Sequence, residues 1–244
     1  MVSSDITIVP DADALATHAA DHFIELANEA AKQRGIVHVA LAGGSTPRAM
    51  NALLAAAPRR ERVNWTAIRF FFGDERCVPP DHPDSNYRMT RETLFDPLGI
   101  DASHVHRVAG EDEPQTAASA YDALLQREMG TLPVFDIVYL GMGPDGHTAS
   151  LFPGTLAHLD LTRCCVANFV PKFNTYRITV TPRVINAARH VTITAGGAEK
   201  ADSLAAVLEG PRLPDIYPVQ LVAPTNGELH WYVDADAASK LRSR

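Results

Sequence analysis

A histidine set among glycines is where this sequence could most readily move a proton near neutral pH. His147 lies in the run Asp136-Ile-Val-Tyr-Leu-Gly-Met-Gly-Pro-Asp-Gly-His-Thr-Ala-Ser-Leu-Phe-Pro153, two residues after Asp145. An apolar strand that empties into glycines would leave an imidazole and a carboxylate side by side at the edge of a sheet. There the imidazole can act as a general base. A lone histidine more often packs than reacts, but polar, glycine-flanked surroundings favour catalysis. Gly141, Gly143 and Gly146 also match G-x-G-x-x-G formally. That fingerprint needs a helix packed on the sheet and an acidic residue about 20 positions on. Pro153 stops any helix shortly after His147, so a dinucleotide site is not expected.

Three further segments carry candidate chemistry. In Leu41-Ala-Gly-Gly-Ser-Thr-Pro-Arg48, Gly43 and Gly44 allow close backbone approach, and Ser45 and Thr46 can cap a helix or donate to an anion at its start. The same residues suit an ordinary strand-to-helix turn. The segment has neither the spacing of a Walker loop nor that of a nucleophile elbow. In Phe70-Phe-Phe-Gly-Asp-Glu-Arg-Cys-Val-Pro-Pro80, three ionisable residues follow a buried strand. Asp74 could orient a base or a substrate hydroxyl and Arg76 could pair with an anion; equally, the charges could close the turn as a local ion pair. Downstream, Arg88 and Arg91 stand one turn apart and read as surface arginines. The last segment runs from Asn168 to Val180. It holds Lys172, one of only four lysines in the chain, and Arg177, a pair that could neutralise a phosphate dianion or simply be solvated.

Such residues need a scaffold, and the chain is long enough to build one. Its 244 residues are 46% hydrophobic, 7% aromatic and 21% charged, a profile of compact soluble proteins. Lys and Arg number 22 against 29 Asp and Glu, a formal charge of -7, so no basic field attracts nucleic acid or an anionic bilayer. Three cysteines, two of them adjacent, give no disulfide framework and no paired C-x-x-C zinc spacing; a reducing cytoplasm is the expected compartment. The start of the chain lacks a basic region followed by an apolar core, and no run of about 20 apolar residues occurs, so neither export nor membrane insertion is expected.

Apolar β-branched runs alternate with Ala-rich segments of helical period, which reads as α/β with a parallel sheet. Strands are expected over 5–9, 37–41, 68–72, 135–140, 177–181, 191–195, 219–222 and 229–233. Helices are expected over 12–34, 47–56, 86–94, 114–129, 182–188, 198–208 and 234–241. No linker or repeat divides the chain, so residues 1–244 are read as one domain. Ligands of open parallel sheets bind outside the carboxyl ends of the strands, where all four segments fall.

In their order and approximate spacing these segments, with SNYRM at 85–89 and AGGAEKA at 195–201, resemble the 6-phosphogluconolactonase family. That family sits in the wider group containing glucosamine-6-phosphate deaminase and ribose-5-phosphate isomerase-like folds. The resemblance implies a single three-layer α/β/α sandwich with a modified Rossmann-like, mostly parallel sheet. It implies hydrolysis of a small phosphorylated sugar lactone, 6-phospho-D-glucono-1,5-lactone, without cofactor or metal. It makes His147 the base that activates water, with Asp74 and Arg76 in the same pocket. Gly43, Gly44, Ser45, Thr46 and Gly143 would lie along the ligand, and Lys172 and Arg177 would meet the phosphate. The loop after Lys172 reads Phe-Asn-Thr-Tyr, less rich in proline than the family. An amino-sugar phosphate deaminase of the same fold would need further acids after the Asp-Gly-His turn, where this chain has Thr148-Ala-Ser-Leu. A non-catalytic sugar-phosphate sensor is the alternative of another class. No subunit contact is read from the sequence, which is compatible with a monomer.

Overall fold

Two apolar runs set the centre of the molecule. The structure, a computed structural model that describes residues 4–242, forms β2 from Val37–Leu41 and β3 from Ile68–Phe72. Phe70, Phe71 and Phe72 are all fully buried, so consecutive side chains on opposite faces are covered, as parallel sheets with helices on both sides require. The remaining strands are β1 (Ser4–Val9), β4 (Asp74–Arg76), β5 (Ile137–Gly141), β6 (Cys165–Val170), β7 (Thr175–Val180), β8 (His190–Ala195) and β9 (Glu228–Asp234). Six of them make one sheet in the order β1-β9-β8-β5-β2-β3, with every pair parallel. A second, antiparallel sheet has the order β4-β7-β6.

The helices are α1 (Ala12–Arg34), α2 (Ser45–Ala55), α3 (Asn86–Thr90), α4 (Asp96–Leu98), α5 (Pro114–Met129), α6 (Pro182–Ile185) and α7 (Ala201–Glu209). Helix α1 begins where the Asp11 carboxylate accepts from the Ala14 N–H at 2.8 Å and ends at Gly35, whose φ of 81° suits glycine. Its buried face repeats at helical spacing through Leu15, Ala19, Phe23, Ala27 and Ala30. Tyr139 of β5 donates its hydroxyl to the Ala19 carbonyl at 3.0 Å, so even the polar tip of this buried ring is satisfied. No helix among the described residues is long and apolar enough to cross a membrane.

The α/β architecture with a mostly parallel sheet is as expected, and several elements differ in detail. The expected strand over 219–222 is a 3-10 turn, Pro218–Leu221. Its valines are buried, but β5 and β9 already occupy both sides of β8, and Pro218 offers no ladder N–H. The expected helix over 234–241 shrinks to a turn at Ala237–Lys240 because Asp234 ends β9 and its carboxylate takes the N–H groups of Gly197 and Ala237. The helix over 86–94 is interrupted: α3 passes into a π-helical turn at Arg91–Phe95 before α4. Strand β7 opens at Thr175 rather than Arg177, and β4 and β6 are additional strands whose partners lie in distant sequence.

The chain leaves β2 in one direction to β3, while β5, β8 and β9 lie on its other side. The strand order therefore reverses between β2 and β5. At such a switch point the two following loops part and open a crevice at the carboxyl ends of the strands.

Candidate active site

The crevice holds a cavity of about 350 Å³. Its walls include Gly43, Gly44, Ser45 and Thr46 after β2, Asp74 and Arg76 of β4, Gly143 and His147 after β5, and Arg177 of β7. Residues far apart in sequence thus meet around one space, every one of them named above from the sequence. Lys172 does not. It sits in the exposed 3-10 turn Pro171–Phe173, where the αL conformation of Asn174 turns the chain, and its Nζ lies 2.9 Å from Asp145 Oδ2. The side chain of that turn which borders the cavity is Phe173.

His147 is fixed from three sides. Its Nδ1 is 2.5 Å from Asp145 Oδ1, and its ring stacks on Phe152 with centroids 4.1 Å apart. On the third side is Gly143, where a Cβ would overlap the imidazole, so only glycine leaves room for the ring. A carboxylate can only accept, so the imidazole donates from Nδ1, which leaves Nε2 as the ring nitrogen not engaged by Asp145. Burial opposes ionisation of Asp145, but hydrogen bonds from His147 and Lys172 outweigh it and hold the carboxyl well below the usual range. Asp145, not Asp74, is therefore the partner of His147.

Asp74 is held by other groups. Ser150 Oγ donates to its Oδ2 at 2.6 Å, and Asn86 Nδ2 donates to its backbone carbonyl at 2.9 Å. The close approach of Asn86 explains Gly43, whose missing Cβ would fall on the Asn86 amide. Glu75 between the two site residues of β4 is buried, and it is the group that closes the turn. Its carboxylate accepts from the backbone N–H groups of Arg76, Asn86 and Tyr87 and from Ser85 Oγ. Burial pushes its carboxyl up, against the pull of those backbone donors.

Strand pairing brings the cations together. Arg76 of β4 faces Arg177 of β7 directly across the antiparallel ladder. Like charges in that register destabilise a sheet unless an anion lies between them. Arg177 stacks over Phe173, with 5.6 Å from its guanidinium carbon to the ring centroid. Burial, aided by Arg76, lowers its pKa. Arg76 is steadied by donating Nη1 to the Asp84 carbonyl.

A third cation, Lys200, was not singled out from the sequence although the motif that contains it was. It follows β8 and Gly196-Gly197 in a 3-10 turn and borders the cavity. The signal was present: a charged residue close after the glycines that follow a strand, as at Gly73-Asp74 and in the run from Gly143 to His147. Burial lowers its pKa, against the pull of Glu199 and Asp234. Ser45 proves to be the first residue of α2 rather than its cap. The cap position is Gly44, at φ 111°, and no side chain closes the first turn. Those N–H groups and Lys200 give the cavity a second surface that favours anions.

The whole site thus offers one oriented imidazole, three cations and a helix start, surroundings that favour a ligand carrying negative charge. Among known proteins, a 6-phosphogluconolactonase of Nostoc sp. is 39% identical over 242 residues, covering 97% of this chain and 98% of its own length. One of Treponema pallidum is 43% identical over 184 residues, covering 74% and 76%. The structure of the 6-phosphogluconolactonase from Trypanosoma cruzi matches with a TM-score of 0.87 at 30% identity, over 99% of this chain and 98% of that one. Residues 10–231 match the family described as glucosamine-6-phosphate isomerases/6-phosphogluconolactonase, and the chain belongs to that family.

Proposed function

We propose that this chain hydrolyses 6-phospho-D-glucono-1,5-lactone to 6-phosphogluconate, the second step of the oxidative pentose phosphate pathway, as a single cytoplasmic domain. The reading rests on one observation above others: His147, with Nδ1 committed to Asp145, borders a cavity that also gathers Arg76, Arg177 and Lys200. In the proposed reaction a water bound at Nε2 loses its proton to His147 as its oxygen attacks the lactone carbonyl. The oxyanion collapses, the ring C–O bond breaks, and His147 returns the proton to the leaving ring oxygen. Asp145 steadies the imidazolium between the two transfers. The facing arginines take the phosphate, while Lys200 and the first turn of α2, with Gly43, Gly44, Ser45, Thr46 and Gly143, lie along the sugar. Asp74 orients a ligand hydroxyl. The family also contains amino-sugar isomerases, but the residues after His147 here offer no further acid. Thr148 instead donates its hydroxyl to the Gly141 carbonyl and is buried. Three free cysteines suit a reducing compartment.

The test is hydrolysis of freshly generated lactone with the spontaneous rate subtracted. Loss of a general base lowers the rate by about two to four powers of ten, and His147→Ala is expected to do so while remaining folded. Wild-type protein no faster than the background would overturn the reading. An acid limb of kcat/KM that survives unchanged in a folded His147→Gln variant would remove His147 as the base.

A further inference from the structure

The opposite end of the main sheet holds a second cluster that the proposed reaction does not use. His190 opens β8 and Glu228 opens β9, directly opposite each other in the parallel register, and His230 follows two residues along on the same face as Glu228. Sequence spacing alone conceals the group, because its members come together only when β8 pairs with β9. Glu228 Oε2 lies 3.3 Å from His190 Nδ1 and 3.3 Å from His230 Nε2. The potential ligand atoms of the three residues all fall within 4.8 Å of one another.

The two separations made by Glu228 are those of ligands around one small ion. Two atoms each 2.0–2.1 Å from zinc at the tetrahedral angle stand about 3.3 Å apart. His190 Nδ1 is buried, and the one polar group it faces is the Glu228 carboxylate at 3.3 Å, too poorly aligned for a good hydrogen bond. His22 of α1 presses edge-on against His230 at 4.8 Å between centroids and fixes that ring from behind. Its own Nδ1 is likewise buried without a hydrogen bond. The nearby positive charges are committed elsewhere, since Arg34 and Arg189 both pair with Asp136, at 2.6 and 3.4 Å. Glu228 is exposed and its carboxylate can swing, and a cavity of about 310 Å³ beside His190 and Glu228 leaves the fourth position open.

We propose that His190, Glu228 and His230 bind a divalent transition-metal ion of the zinc class, at the end of the sheet remote from the active site. Two imidazoles and one carboxylate suit zinc and disfavour magnesium or calcium, which prefer oxygen alone. A small rotation of one imidazole closes the remaining edge of the tetrahedron. The bound ion ties the first residue of β8 to the start of β9, beneath α1. It acts on stability, because the unfolded chain has no such site.

Protein stripped with a chelator should bind one Zn²⁺ by calorimetry, and Co²⁺ in its place should give the visible absorption of a tetrahedral site. At about a hundredfold excess of free Zn²⁺ over Kd, the Tm should rise by about 5–10 °C. Glu228→Gln and His230→Gln, both at partly exposed positions, should each weaken Zn²⁺ at least tenfold and remove the Tm shift while lactone hydrolysis stays at the wild-type rate. No saturable Zn²⁺ binding by the wild type overturns the proposal. So does binding that persists in both variants, because the ion then sits elsewhere.

Discussion

The two ends of the central sheet are built from the same strands and yet present opposite kinds of surface. At the carboxyl end, β2, β5 and β8 each run into glycines, and the backbone retreats to leave a cavity bordered by Arg76, Arg177, Lys200 and His147. At the amino end of β8 and β9 the backbone stays in register, and the chemistry comes from side chains facing one another across a ladder, His190, Glu228 and His230. The two ends have spaces of similar size, about 350 and 310 Å³, so the difference lies in what lines them: loops that follow strands gather groups from many elements, while strand starts offer only the side chains that the ladder sets opposite one another. A loop site needs several anchors for each functional group, and His147 has three. A ladder site inherits its order from the strands.

The comparison can be broken most sharply at Gly143. Gly143→Ala puts a methyl group where the imidazole lies, and a displaced base is expected to lower kcat about a hundredfold with the Tm changed little. A variant with wild-type kcat would show that the ring does not need its glycine-bounded place. Next comes Arg177→Ala, expected to raise KM for the lactone about ten- to a hundredfold with a smaller change in kcat, since a charge-assisted contact to phosphate is lost. An effect confined to kcat would move the phosphate away from the arginine pair.

Asp145 supplies a smaller, pH-dependent effect. Its pKa is depressed in the folded state, so its contribution to stability is present in full above the unfolded carboxyl value, near 4, and is lost as pH falls below it. Asp145→Asn should therefore flatten the acid limb of urea midpoints measured between pH 7 and 3, and an unaltered limb would contradict this sign. The smallest effect belongs to the other end: Glu228→Gln in metal-free protein should leave kcat, KM and Tm within error of the wild type.

Local signals made much of the fold readable. Helices α1 and α5 and strands β2 and β3 lie where caps, periodicity and unbroken apolar runs put them. The short strands β4 and β6 escaped because nothing in Asp-Glu-Arg or Cys-Val-Ala-Asn-Phe-Val demands a sheet until β7 lies between them. The run at 219–222 carried the opposite error, since a brief apolar stretch reads alike as a strand or a buried turn. At the site, residues just after strands were legible from composition and the carboxyl-edge rule. Ser150 and Asn86, which hold Asp74, were not, because a supporting hydrogen bond across 76 or 12 positions leaves no local pattern. Lys172 and Lys200 differ only in what the backbone does around them: one turn directs its lysine to Asp145, the other to the cavity.

The facing arginines have a consequence beyond affinity. Arg76 and Arg177 sit on the ladder that pairs β4, the direct continuation of β3, with β7 of the same small antiparallel sheet. If the phosphate binds between them as proposed, it removes a like-charge repulsion from that seam. Amide protons of β4 and β7 should then exchange with solvent more slowly in the presence of 6-phosphogluconate, and the protein becomes stiffest when it is working.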